Sequence, residues 1–418
     1  MKFQEADLYV GLDVGRSSVE AVWVNEEGEK VDNLSFPNNH QGYERFIEEL
    51  NRLQEEGYTL VLGAEGHSGN LSPLDQYLND ENFKFLSIHP LKVCRYKDIL
   101  GQPKKTDNYD AYVVADFLRS KGDRLENTPQ FDPVVQQAKK LSRTYKDLKE
   151  QTNRYVNQLN EVVGEYIPEL LDDKFPNLTS KTILCLLHDY GSLSDLRRLE
   201  VGDLADFLDE KSQGYYGKDT AELLLDTICS IDRTPLAKEA YQLKIKTLAD
   251  LLLTLDKHCK EIEKRISKLL EGWEDAQIIL SLPGAGEKVV SKFLGEIETV
   301  DRFDSADSLG LYCGASPLPY SSGSYSTDRT TNRVNKRAKD AIMQMARCSA
   351  QHGEESRRYY EKKRREGKSY WHAIKCLARQ LIRVIYAMLR DRTYYNPNEN
   401  SNSEVQNEQK KEVAAAPA

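Results

Sequence analysis

From Leu8 to Leu100, short apolar runs alternate with stretches of helical period. LYVGLDVG reads as a buried strand and SVEAVWV as its neighbour across a Gly-Arg-Ser turn. A helix follows around Tyr43 to Gln54. YTLVLGAEG is a second buried strand ending in Glu65, LSPLDQYL is helical, and FKFLSIHP is another strand. Leu91 to Leu100 reads as a short helix, and TDNYDAYVVADFLRS as a longer one. Two strands, helix, strand, helix, strand, helix predict a mixed α/β sheet covered by helices.

Beyond about residue 135 the pattern changes. Leu141, Tyr145, Leu148, Thr152, Tyr155, Leu159, Val162 and Tyr166 recur at 4-3 spacing. Tyr241, Ile245, Leu248, Leu252, Leu255, Cys259, Ile262, Ile266 and Leu269 repeat it more strictly. Both predict long helices with a continuous apolar seam, pairing within one chain or between chains. The second seam is expected to bring protomers together. Phe175 to Thr234 reads as a small helical insert. After Ile278 the chain is rich in Gly, Pro and Ser, and then helical periodicity returns with strong positive charge. The boundaries follow: 1–130, 131–277 and 278–395 as domains, and 396–418 as a polar tail expected to be disordered.

The composition is that of a globular protein, with 30% charged and 39% apolar residues. No run of 18 apolar residues predicts a membrane span. Seven cysteines without a C-x-x-C pair argue for free thiols in a reducing cytoplasm and against a structural zinc. The net charge of −9 is unevenly spread: Ser321 to Tyr395 holds 18 Lys and Arg against 7 Asp and Glu. A basic region on an acidic chain points to a polyanion partner.

Four acids stand out. Asp13 and Glu65 end buried strands, and Asp107 and Asp110, three apart, share one face of the last helix. Gathered together, they would repel unless a cation neutralises them, and hard Mg²⁺ suits such a set. Two such ions can activate an attacking oxygen and stabilise a leaving one in phosphoryl transfer. The alternative is that Asp107 caps the helix and Asp110 favours its first turn. GLDVG before a second strand also resembles the opening of actin-like sugar kinases, but no second phosphate loop lies between strands later in the chain. LPGAG, with Gly284 and Gly286, resembles a helix-hairpin-helix whose glycines let backbone N–H groups approach a phosphate. Ser321 and Ser322 precede Gly323, and a serine needs a metal, a base or positive charge to be nucleophilic. Arg333, Lys336 and Arg337 in NRVNKRAK, and Lys104 and Lys105 before the acidic helix, are candidate phosphate contacts.

Together, YVGLDVG, AEG, KTDNYDAYVVADFL, LPGAG, GLYCGASPLPYSSG, VNKRAKDAIMQMA and the final basic helices resemble one family. It is the DEDD-type transposases of bacterial insertion sequences, which includes Piv-type DNA invertases and bridge-RNA-guided recombinases. The resemblance implies an α/β RNase H-like (RuvC-like) N-terminal domain, long coiled-coil helices and a mostly α C-terminal transposase domain. It implies Mg²⁺, with Mn²⁺ as a substitute, on Asp13, Glu65, Asp107 and Asp110. Ser322, with Ser321 as fallback, becomes a nucleophile that forms a covalent phosphoserine. The partners implied are donor and target DNA, a guide RNA and further copies of the chain in a dimer or tetramer, in a nucleoid-associated bacterial enzyme. The competing expectations are a resolvase-type metal nuclease without a covalent step, and a non-catalytic nucleic-acid-binding protein.

Overall fold

The computed structural model describes residues 6–66, 71–83, 85–88, 90–101, 106–122, 132–231, 238–322, 325–329 and 334–397. The chain divides into two compact units, residues 1–133 with 298–304, and residues 134–297 with 305–418.

The first unit holds β1 (Leu8–Val14), β2 (Ser18–Asn25), β3 (Lys30–Pro37), α1 (His40–Glu55), β4 (Leu60–Glu65), α2 (Ser72–Asp80), β5 (Phe85–Ile88), α3 (Pro90–Leu100) and α4 (Asp107–Lys121). The sheet order is β3-β2-β1-β4-β5. β1, β2 and β3 are antiparallel neighbours, while β1, β4 and β5 run parallel. The predicted mixed α/β arrangement is present, with one strand more than the apolar pattern announces. That strand, β3, buries only Phe36 and otherwise lies exposed or half-buried at the sheet edge.

Strand alternation sorts the two faces. Leu8, Val10 and Leu12 of β1 join Leu62 and Ala64 of β4 in a core under α1 and α2. There Phe36 stacks on Phe46 with ring centroids 4.8 Å apart. Asn39 caps α1 by accepting the N–H of Gly42. The residues between, Tyr9 and Gly11, face α4. Gly11 is glycine for a steric reason: a Cβ there would lie 2.1 Å from the Ala111 carbonyl oxygen and 2.3 Å from the Ala115 nitrogen. Helix α4 thus rests with its backbone on β1, and Ala111 and Ala115 are fully buried against Val22 and Val24.

The second unit is mostly helical. α5 (Pro133–Tyr166) and α10 (Lys238–Glu271) are its long helices. α6 (Lys181–Tyr190), α7 (Leu193–Leu196), α8 (Val201–Ser212) and α9 (Lys218–Ser230) form the insert between them. α5 and α10 run antiparallel, as Tyr145 bonds Glu263 and Tyr166 stacks on Tyr241. The apolar seam of α10 is covered within the chain. Ile245, Leu248, Ala249 and Leu252 share one core with Leu159, Val162 and Tyr166 of α5 and with the insert helices. The expectation that this stripe joins protomers is therefore replaced by an intramolecular packing. Its buried leucines have partners in their own chain, each contributing about 1.5–3 kcal/mol.

After α10 come α11 (Glu274–Leu280), α12 (Glu287–Ile297), α13 (Ala306–Tyr312), the hairpin β6 (Leu318–Ser322) and β7 (Tyr325–Arg329), then α14 (Lys336–His352), α15 (Glu354–Arg365) and α16 (Tyr370–Asp391). α14 packs against α12, α15 and α16. Among the described residues no helix is long and apolar enough to cross a membrane.

Candidate active site

The acids follow from the strand alternation. Asp13 continues the Tyr9–Gly11 face of β1, the side covered by α4. β1 and β4 are in parallel register with Leu12 opposite Ala64, so Glu65 extends β4 beside Asp13 on that same face. Asp107 and Asp110 lie in the first turn of α4, Asp107 one turn before Ala111 and Asp110 directly before it, where the helix rests on β1. Thr106 caps α4 by accepting the N–H of Tyr109, so Asp107 is not needed as the cap.

Asp13 feels the other three carboxylates. Burial, then the charges of Asp107, Asp110 and Glu65, push the Asp13 carboxyl up to about 6. Glu20, opposite Asp13 on β2, adds to this effect and is an acid that the motif reading passes over. Glu65 is raised by burial and by Asp110, against a lowering from Lys97. Asp13, Glu65 and Asp107 form no side-chain hydrogen bond or ion pair among the described residues. Asp110 pairs with Lys97 of α3. Asp116, on the same helix, shows the contrast: it is buried and satisfied by Arg119 at 2.7 Å and by the Tyr96 hydroxyl at 2.7 Å. Three repelling, unpartnered carboxylates suit a hard divalent cation, which reverses the repulsion. Among the described residues, however, no group of three or more His, Cys, Asp or Glu side chains is placed closely enough to hold a metal ion as it stands.

The serine belongs to the second unit. Ser322 ends β6, opposite Tyr325, and Ser321 precedes it, opposite Ser326. Lys336 and Arg337 are exposed in the first turn of α14. Two cations at a helix N-terminus reinforce its partial positive charge, a combination suited to phosphate. Arg333, Lys104 and Lys105 lie outside the described residues. Gly284, in the turn between α11 and α12, has φ +85° and a Cβ position 2.5 Å from the Ser349 nitrogen. Its glycine identity is accounted for by the turn and by packing on α14.

Sequence reasoning missed the support for α14. Asn335 caps the helix, accepting the N–H groups of Arg337 and Ala338. Its side-chain amide donates to Glu296 at 2.9 Å and to the Tyr312 hydroxyl at 2.8 Å. The Glu296 side chain is only 4% exposed and also receives two bonds from the Arg143 guanidinium. Burial pushes the Glu296 carboxyl up, but Arg143 and Asn335 outweigh it and hold it below its ordinary value. Glu296→Ala is expected to cost about 2 kcal/mol, the scale of hydrogen bonds to a charged group, with Arg143 free to rehydrate. Because the folded value is depressed, this contribution is present above the ordinary value of 4.5 and is lost as pH falls through the folded value. Urea unfolding at pH 7 and pH 3.5 checks it: the deficit of the variant should shrink at the lower pH, and an equal deficit at both would refute it.

Comparisons with known proteins bear on both units. A family model described as transposase matches residues 10–168, the segment that carries all four acids. A second, described as the transposase IS116/IS110/IS902 family, matches residues 276–361, from the LPGAG turn through β6 and α14. The insertion element IS110 43.6 kDa protein of Streptomyces coelicolor is 26% identical over 397 residues, 94% of this chain and 96% of its own length. The insertion element IS116 44.8 kDa protein of Streptomyces clavuligerus is 26% identical over 93% of this chain and 96% of its own. A pilin gene-inverting protein of Moraxella lacunata is 25% identical over 170 residues, 40% of this chain and 50% of its own. With both models matched in order and full-length relatives alongside, the chain belongs to the IS110/IS116 family of insertion-sequence transposases, enzymes that cleave and rejoin DNA.

Proposed function

We propose that the chain is a site-specific DNA recombinase whose four acids hold Mg²⁺ or Mn²⁺ and whose Ser322 attacks the DNA. The observation that carries the metal half is the α4-side face of β1 and β4, where Asp13 is pushed up to about 6 by burial and by Asp107, Asp110 and Glu65, of which only Asp110 has a cation partner among the described residues, Lys97. The strand order β3-β2-β1-β4-β5, with three antiparallel and three parallel members sharing β1, supports an RNase H-like reading of this unit. A relative named for inverting a pilin gene supports rearrangement at defined sites rather than simple cutting.

When bound, the metal supplies Lewis-acid activation of an attacking oxygen and stabilisation of a leaving one. Asp13, Glu65, Asp107 and Asp110 are its ligands. The Ser322 hydroxyl forms the new Oγ–P bond. The bridging P–O bond breaks, and the departing sugar oxygen ends with the serine proton. Attack by a second DNA hydroxyl reverses these steps and frees the serine. Lys336 and Arg337 neutralise phosphate charge during both transfers. The reading includes assembly of two or four copies, three domains with limits near 130 and 277, and a guide RNA that pairs with donor and target DNA.

The test is to trap the protein on DNA with and without Mg²⁺ and map any adduct. A phosphoserine at residue 322, lost in Ser322→Ala with DNA binding retained, is expected. A metal-dependent cut with no attached protein would instead mean hydrolysis of the resolvase type. An adduct on Ser321 or on a tyrosine would overturn the assignment.

A further inference from the structure

A cleft of about 820 Å³ opens in the second unit between α5, α10, α12 and α14. Six lysines line it from three helices: Lys146 and Lys149 of α5, Lys260 and Lys264 of α10, and Lys288 and Lys292 of α12. Among the described residues only Glu263, Glu287 and Asp340 oppose them on its walls. Convergence of like charges from separate helices is unfavourable without an anion, so it differs from an ordinary solvated face.

The available carboxylates are already engaged. Glu263 accepts the Tyr145 hydroxyl at 2.7 Å and the Lys288 ammonium at 3.0 Å. The Tyr145 ring holds two ammonium groups near it, Lys149 at 5.5 Å and Lys288 at 5.4 Å from its centroid. Asp340 pairs with Lys292, and Glu287 accepts the Ser267 hydroxyl. Lys146 and Lys260 pair with Glu150 and Asp256 one turn away on their own helices. Such exposed i,i+4 pairs contribute little and exchange readily. Lys149 and Lys264 pair with no carboxylate among the described residues.

The LPGAG turn forms one edge of the cleft through Gly284 and Gly286. Gly286 differs from Gly284. A Cβ at Gly286 would meet nothing within 4 Å, and its φ lies outside the left-handed region. The chain itself does not require glycine there, whereas a ligand passing close to the backbone would. The next residues begin α12, and the N–H groups of Glu287 and Lys288 find no backbone acceptor among the described residues. Open N–H groups, a bare Cα and six cations meet in one depression.

We propose that this cleft grips the backbone of one sugar–phosphate strand of nucleic acid. A space of this volume is the size of a small-ligand pocket, so it takes a single strand rather than a whole duplex. The choice of nucleic acid as ligand rests on the proposed function, but the site uses none of the acids or serine of that reading.

The experiment uses the full chain with a labelled single-stranded DNA, the same sequence as RNA, and the DNA duplex. Anisotropy titrations run from 50 to 200 mM KCl in EDTA, so that no cleavage occurs. Lys146→Gln, Lys149→Gln and Lys264→Gln are combined, because none of these lysines holds a buried partner. Single strands shift by about 0.7 in salt slope per phosphate contact, so three lost contacts lower the slope by about 2 and weaken binding about 100-fold at 0.1 M salt. Loss for DNA alone, RNA alone or both tells which strand occupies the cleft. Gly286→Ala keeps every charge, and is expected to weaken the same strand several-fold. Unchanged single-strand affinity in both variants, or a loss confined to the duplex, would overturn the proposal. A separate cleavage assay of Asp107→Ala in Mg²⁺ distinguishes the two readings: if that variant still cuts DNA, the proposed chemistry fails while the lysine result stands.

Discussion

Asp107→Asn and Asp110→Asn are each expected to lower DNA strand cleavage by at least about 10²-fold while leaving the fold intact. Removing groups that merely orient metal ligands costs about 10- to 100-fold, so removing a ligand itself should cost more. Stability behaves differently. Asp107 and Asp110 sit in the first turn of α4, where a negative charge contributes about 0.3–1 kcal/mol through the helix dipole. Against that, both raise the Asp13 carboxyl, which means that all three destabilise one another when ionised without a cation. The two effects oppose, and the thermal midpoint should move little. Asp110→Asn also frees Lys97, whose ammonium already neutralises part of the cluster. Asp13→Asn and Glu65→Gln should abolish cleavage in the same way. Calorimetric titration with Mn²⁺ gives a second readout, because each variant should lose metal affinity along with activity. Wild-type cleavage rates in the Asp107 and Asp110 variants would sink the metal-site reading. A midpoint lowered by many degrees would instead assign these acids a structural role.

How far the site could be read in advance depends on the range of the interactions involved. Asp13 and Glu65 were legible because strand alternation carries the buried face one residue beyond the apolar run, and a period of two leaves little freedom. Asp107 and Asp110 were legible as a pair. The reading of Asp107 as a possible cap gives way to Thr106, because both residue types serve at that position and the backbone angles select Thr106. β3 escaped because an edge strand needs only one buried side chain, and Phe36 alone leaves no alternating pattern. The seam of α10 was correctly periodic, yet periodicity does not say who covers the stripe. The insert helices and α5 do so within the chain. Glu296 could not be found at all. Its partners lie 153 and 39 positions away, and nothing near a lone glutamate in KFLGEI signals an arginine on α5.

Gly11→Ala tests the joint on which the acidic cluster depends, and its effect should spread from packing to chemistry. The added Cβ would lie 2.1 Å from the Ala111 oxygen, 2.3 Å from the Ala115 nitrogen and 3.0 Å from the Ala115 Cα. These are backbone atoms, so no rotamer change can make room, and trimming Ala111 or Ala115 to glycine would not relieve the contact. Either β1 or α4 must move by about 1 Å to restore ordinary separations. Overpacking of this kind costs about 1–3 kcal/mol, or more where the neighbours are rigid. β1 is central in the sheet, bonded to β2 and β4 on its two sides, so α4 is the element that yields. The shift carries Asp107 and Asp110 away from Asp13. A misplacement of about 1 Å can itself cost about 10²-fold in rate. We therefore expect a lowered thermal midpoint together with a loss of cleavage that persists at temperatures where the variant is fully folded. Asp13 should respond too, since Asp107 and Asp110 raise it: its carboxyl should titrate at lower pH in Gly11→Ala than in the unaltered chain. A variant that melts and cuts like the unaltered protein would show that α4 does not rest on β1 in this way. The acids of the helix would then need another reason to meet those of the sheet.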